Sequence, residues 1–133
     1  MKKNSELFVN PKTAKKLKIA GYNLPCKSRF VDEDHITALD NTLSNIEDCK
    51  EAKNWNTYKN SLSIPTFKDA IKWLNKKKKA NFTISPSLWS EDPENPVWII
   101  QTENPELHYE GTSDYEETVN NGIQKYLMRL GIS

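Results

Sequence analysis

The chain has 133 residues, 19 of them basic and 18 acidic, for a net charge of +1. That is the length of one ordinary domain, and the charge balance excludes a generally polyanion-coating protein. Only 36% of residues are hydrophobic, yet 10% are aromatic, including four Trp, which excludes wholesale disorder.

Leu7-Phe8-Val9 reads as a short strand or arm. Asn10 is a good N-cap, Pro11 suits the first helical position, and Gly21 suits a left-handed C-terminal cap, so a short helix is expected over 11–20. Ala14 and Leu17 supply its apolar face, and Lys12, Lys15, Lys16 and Lys18 cover the remainder. Lys27-Ser28-Arg29-Phe30-Val31 fits a strand. Ile36, Leu39, Leu43 and Ile46 are three, four and three apart, a helical spacing that predicts a helix over 35–50 despite many poor helix formers. Residues 51–62 read as an ordered loop anchored by Trp55 and Tyr58.

Thr66 followed by Asp69 resembles a capping box. Phe67, Ala70, Ile71 and Leu74 then fall at i, i+3, i+4 and i+7, with Trp73 widening the stripe, and the helix ends in Lys76-Lys77-Lys78-Lys79, cations that suit its macrodipole. Phe82-Thr83-Ile84-Ser85 alternates as a strand, which Leu88-Trp89 would extend past Pro86. A polar, proline-rich turn over 90–96 leads to a partner strand over 97–102, and Leu107-His108-Tyr109-Glu110 fits a third. Ser113 and Glu116 suggest a second capping box before a last helix with Tyr115, Val119, Ile123, Tyr126, Leu127 and Leu130 on one face. Gly122 inside it suggests a close crossing with a strand. The expected fold is α+β: a small antiparallel sheet of about three strands with helices packed on one face. Residues 1–133 form a single domain in this reading.

The longest apolar run is Val97-Trp98-Ile99-Ile100, far short of the roughly 20 residues of a membrane span. Met1-Lys2-Lys3 is followed by Asn4-Ser5-Glu6 rather than an apolar signal segment, so no membrane association and a cytoplasmic location are expected. Cys26 and Cys49 belong to no C-x-x-C pair and read as reduced, partly buried thiols in preference to a disulfide or a nucleophile. Charge is segregated. Residues 1–29 hold eight basic and one acidic group, 30–66 three and seven, 67–81 six and one, and 82–133 two and nine. Such blocks either compensate each other across the fold or build a dipolar surface that steers a partner.

Several segments resemble a group of small uncharacterised proteins encoded by bacteriophages and bacterial genomes, notably in the Bacteroides group. The matching pieces are Lys15-Lys16-Leu17-Lys18, Gly21-Tyr22, Pro25-Cys26, Asn54-Trp55-Asn56 and Tyr115-Glu116-Glu117. The best match is Pro65-Thr66-Phe67-Lys68-Asp69-Ala70-Ile71-Lys72-Trp73-Leu74, a Pro-Thr-x-x-x-Ala-x-x-Trp-Leu pattern. Residues 28–53 fall outside the match and read as a family-specific insertion. The resemblance implies a phage or prophage setting and no reaction.

Catalytic signatures are lacking. The two histidines, His35 and His108, have no nucleophile motif near them, and the four glycines make no phosphate-cradling loop. Asp32-Glu33-Asp34-His35 could supply metal ligands, but adjacent side chains diverge, so a charged helix-entry turn is the better reading. No catalytic residue, cofactor or metal is therefore expected, and the reading leans away from an enzyme. Lys68, Lys72, Lys76 and Lys79 would form a basic stripe which, with Lys12, Lys16 and an exposed Trp55, could bind nucleic acid through phosphates and stacking. The scarcity of arginine, two against 17 lysines, weighs against reading of base sequence. The favoured expectation is a non-enzymatic protein-interaction module, a phage-type accessory factor whose partner is a host or viral protein. The nucleic-acid-binding module is the alternative.

Overall fold

A computed structural model describes residues 7–31, 46–58 and 61–132. Three helices and six strands occur among them: α1 (Pro11–Ala20), β1 (Cys26–Val31), β2 (Ile46–Lys53), β3 (Ser61–Ser63), α2 (Phe67–Lys78), β4 (Thr83–Pro86), β5 (Trp98–Thr102), β6 (Leu107–Glu110) and α3 (Tyr115–Arg129). A single 3-10 turn, Trp55–Thr57, separates β2 from β3. The strands form two antiparallel three-stranded sheets, ordered β2-β1-β3 and β4-β5-β6. The α+β class and the C-terminal sheet agree with the sequence expectation, and the N-terminal sheet is additional.

That second sheet arises where the helix over 35–50 was expected. Residues 46–53 pair with β1, in the register Phe30↔Ile46 and Ser28↔Asp48. Glu47, Lys50, Glu51, Ala52 and Lys53 are good helix formers, so local propensity is overridden here: pairing with β1 satisfies a strand's backbone that would otherwise be open. The rest of that expected helix, with His35, lies outside the described residues. Leu7–Val9 contributes a single bridge, Phe8 to Thr66, while Phe67 N donates to Leu7 O and Val9 N to Pro65 O, so the segment straps the start of α2.

The helix ends follow local chemistry. Asn10 caps α1 by accepting from Thr13 N at 2.8 Å, and Gly21 closes it at φ 101, the left-handed region. Thr66 caps α2 by accepting from Asp69 N at 3.1 Å. Asp114, not Ser113, caps α3, accepting from Glu117 N at 3.0 Å. The reason is upstream: Thr112 N donates to Thr118 Oγ1 and Asp114 N to Thr112 Oγ1, which delays the first helical turn by one residue.

One hydrophobic core joins the three helices with strands of both sheets. Leu17, Leu62, Ile64, Phe67, Leu74, Ile100, Val119, Ile123, Tyr126 and Leu127 are buried within it. The α3 helix lies on the inner face of the C-terminal sheet, where Ile84, Ile100 and Tyr109 are paired across the strands. Gly122 permits the approach: a Cβ there would collide with the Ile100 side chain. The α1 and α3 helices are joined by polar bonds, Gln124 Nε2 to Thr13 Oγ1 at 2.8 Å and Asn10 N to Asn120 Oδ1 at 2.8 Å. Among the described residues, no helix is long and apolar enough to cross a membrane.

Candidate functional site

The lysine stripe is interrupted at its end. Lys68, Lys72 and Lys76 are exposed on α2, but Lys79 leaves the helix as its left-handed C-cap, with φ 58. Its carbonyl accepts from Asn104 Nδ2 at 3.1 Å. Lys12 and Lys16 lie half-buried on α1, a helix that packs on α3 and β3. Trp55, required to be exposed for base stacking, is buried instead. Its indole N–H donates to Cys26 O at 2.7 Å, and the Arg29 guanidinium lies 4.7 Å from its ring centroid.

Gly21-Tyr22, Pro25-Cys26, Asn54-Trp55-Asn56 and the α2 motif meet in one place, while Tyr115 at the head of α3 meets Phe67, ring centroids 6.3 Å apart. Asn56 donates to Tyr22 O at 2.9 Å and accepts from Ser63 N at 2.9 Å. Tyr22 meets Trp73 edge-on, ring centroids 5.3 Å apart. Cys26, a free buried thiol, is pushed up to about 11 by burial, so it is held neutral as a core group rather than poised as a nucleophile. The Cys49 side chain lies outside the described residues. The motif residues thus form a scaffold tying the exit of α1 to the N-terminal sheet and α2.

Another cluster has the residue types of a site. On the outer face of the C-terminal sheet, Gln101, Glu103, Glu106 and His108 line an open cavity of about 740 Å³. His108 Nδ1 is 3.0 Å from Gln101 Nε2. All four residues are exposed, so the cavity is open to solvent. Among the described residues, no group of three or more His, Cys, Asp or Glu is gathered as metal ligands would be.

The feature that sequence reasoning missed is the β4–β5 connection. Leu88 and Trp89 do not extend β4 into the core: they are 93% and 92% exposed. Hydrogen bonds organise this loop on both sides. Ser87 N donates to Val97 O at 2.8 Å, closing the hairpin. Ser90 Oγ accepts from Val97 N at 2.8 Å and donates to Ser87 O at 3.0 Å, while Trp89 N donates to Ser87 Oγ at 3.2 Å. Leu88 and Trp89 are therefore the two central residues of a serine-clamped turn. A second turn follows, with Asn95 N on Asp92 O at 3.0 Å and Glu94 N on Asp92 Oδ1 at 3.0 Å. It presents Glu91, Asp92 and Glu94 to solvent. The readable signals were the two serines bracketing Leu-Trp and the proline-rich polar stretch that follows.

The arrangement is an apolar prong with an acidic collar, held on a built hairpin. Exposed Trp beside Leu, on a backbone already ordered, is the composition of an interface anchor: large area, little entropy to lose on binding. The surrounding field is negative, since residues 82–124 contain nine carboxylates and no Lys or Arg. No family model, curated protein or solved structure matches this chain.

Proposed function

We propose that the chain is a non-enzymatic protein-interaction module, a phage- or prophage-type accessory factor acting in the cytoplasm on a host or viral protein. The observation that carries the reading is the Leu88–Trp89 prong, two large apolar side chains almost wholly exposed on a serine-clamped turn. Singly exposed apolar residues are ordinary on protein surfaces, whereas an adjacent Leu-Trp pair at the tip of an organised hairpin is a costly feature to maintain without a partner. The test places a photo-crosslinking phenylalanine analogue at position 89 in the producing cell, with Ser85 on the outer face of β4 as control. A discrete adduct at 89, absent at 85 and weakened by Leu88→Ala, is expected. Adducts equal at both positions, or none at 89, overturn the reading.

A second reading, nucleic-acid binding, rests on the exposure of Lys68, Lys72 and Lys76 along α2. Burial of Trp55 removes its stacking partner. What remains is phosphate attraction, which weakens steeply between about 50 and 200 mM salt. DNA or RNA binding that falls across that range, and is lost in Lys72→Glu/Lys76→Glu, supports this second reading. Absence of binding at the lower salt ends it.

A further inference from the structure

A cleft of about 440 Å³ lies between the edge strand β6 and the C-terminal half of α3, within the range of about 300–1,000 Å³ typical of small-molecule sites. Buried Leu107, half-buried Tyr109 and exposed Met128 give it an apolar wall. Its charged lining residues are Lys125 and Arg129, joined by His108, with no carboxylate among the lining. That composition runs against the surroundings. Residues 82–133 hold nine carboxylates and two basic groups, and both basic groups line this cleft.

The two cations stand one helical turn apart on one face of α3. Lys125 Nζ lies 5.2 Å from the Tyr109 ring centroid, and Asn121 Nδ2 donates to Tyr109 Oη at 3.4 Å, so the ring beneath the ammonium is itself tied to α3. Gln101 Nε2 lies 3.0 Å from His108 Nδ1; an amide N–H donates there, so the ring carries its own proton on Nε2, a further donor. Among the described residues, no carboxylate pairs with Lys125 or Arg129. The neighbouring carboxylates of the β6 segment, Glu106 and Glu110, are not part of the lining, and Glu106 lines the larger outer cavity instead. The macrodipole of α3 accounts for a cation in its last turn. Yet the carbonyls there already accept backbone bonds, Tyr126 O from Leu130 N at 3.2 Å, Leu127 O from Ile132 N at 3.0 Å and Met128 O from Gly131 N at 3.0 Å. The dipole also gives no reason for Lys125 and His108 to share the cleft.

We infer that this cleft binds a small phosphate monoester whose organic part is apolar or aromatic. The charge selects the headgroup. Two fixed cations match the charge of about −1.5 to −2 that a phosphate monoester carries at neutral pH, whereas a carboxylate offers half as much. The donors fit as well: the guanidinium fork of Arg129, the ammonium of Lys125 and the Nε2–H of His108 serve the three phosphate oxygens. Tyr109 and Met128 then cover the organic part. The surrounding carboxylates repel a free anion, so binding within this block is confined to the one place where two cations face it together. This site is separate from the Leu88–Trp89 prong and stands or falls independently of it.

The experiment titrates the full chain with phenyl phosphate at physiological salt, read by calorimetry and by amide NMR shifts. Saturable one-to-one binding is expected, with shifts centred on residues 107–109 and 125–129. Lys125→Ala and Arg129→Ala should each weaken it at least about tenfold, the scale of a lost hydrogen bond to a charged group, while Lys72→Ala/Lys76→Ala on α2 leaves it unchanged. Both cleft cations are exposed, so the fold should survive by circular dichroism. Should Arg129→Ala fail to fold, Arg129→Lys, which keeps the charge without the fork, tests the same contact and is expected to weaken binding by a smaller factor. Benzoate, the same ring on a single charge, should bind at least about tenfold more weakly than phenyl phosphate. Inorganic phosphate should also bind more weakly, with Met128→Ser narrowing that gap. No saturable binding, shifts centred on α1 or α2 instead, or equal affinity in Lys125→Ala/Arg129→Ala overturns the site. Benzoate binding as tightly as phenyl phosphate overturns the phosphate assignment, and inorganic phosphate doing so overturns the apolar part.

Discussion

Trp55 donates its indole N–H to the carbonyl of Cys26 across 2.7 Å, joining positions 29 apart in sequence. The Trp55 backbone N–H is in turn held by Ser63 Oγ at 2.9 Å. One side chain thereby fixes the bulged start of β1 against the 3-10 turn and β3. Trp55→Phe keeps most of the ring's packing but leaves Cys26 O without this donor. A loss of about 1–3 kcal/mol is expected from that orphaned acceptor, read from the denaturant midpoint with an unchanged slope.

Gly122 and Ile100 form a close helix-on-strand contact. Gly122→Ala gains about 1 kcal/mol of helix propensity, but its Cβ would overlap the Ile100 side chain. Overpacking of a buried contact costs about 1–3 kcal/mol, so net destabilisation is expected. Ile100→Val removes the nearest methyl, so in the Gly122→Ala background it should cost less than in the wild-type background, where about 0.5–1.5 kcal/mol is expected. A double-mutant cycle by urea unfolding measures the coupling.

Alkaline stability follows from buried acids. Burial raises the Cys26 thiol from 9.0 to about 11 and holds the phenols of Tyr22, Tyr115 and Tyr126 above their ordinary range. Each is held neutral in the fold, so the unfolded chain ionises first. Stability is expected to be full below about pH 9, to fall between 9 and 11 as Cys26 titrates, and to fall more steeply above 10 as the phenols join. Cys26→Ser should move the onset of the loss upward toward 10, where only the phenols remain. Thermal unfolding from pH 7 to 11 checks the sign and the onset.

The α1–α3 contact is polar at its centre. Gln124→Leu leaves the wholly buried Thr13 hydroxyl without its donor, the Gln124 amide at 2.8 Å. A cost of about 1–3 kcal/mol is expected, and adding Thr13→Val should recover part of it by removing both polar partners together. Equilibrium unfolding of the two single variants and the double variant decides.

Trp89→Ser and Leu88→Ser should leave the fold almost untouched, within about 0.5 kcal/mol, because neither side chain is packed. A larger loss in thermal unfolding would mean that the pair contributes to the fold of the isolated chain.

Local chemistry was legible where one short stretch carries its own signal. Asn10-Pro11 with Gly21 and Thr66 with Asp69 set α1 and α2 as expected, because caps are satisfied within a few residues. The alternating residues of β4, β5 and β6 read correctly because one face is buried on α3 and the other wet. The stretch around β2 did not, since its apolar spacing favoured a helix while its edge was claimed by β1. The Trp residues show the same limit. Trp55 is buried, as suits the anchor of its loop and not the stacking surface of the nucleic-acid alternative, and Trp89, read as an extension of β4, is exposed.

The sequence by itself determined the α+β class, the helix caps, the C-terminal hairpins and the opposed charge blocks, all properties of composition or of neighbours a few residues apart. Tertiary structure alone decided the second sheet and which aromatics face water. Those depend on pairings between residues far apart in the chain, such as Phe8 with Thr66 and Cys26 with Trp55. Periodicity cannot rank one such pairing above another, because the free energy that selects it comes from burial and hydrogen bonding that exist only once both partners are in place.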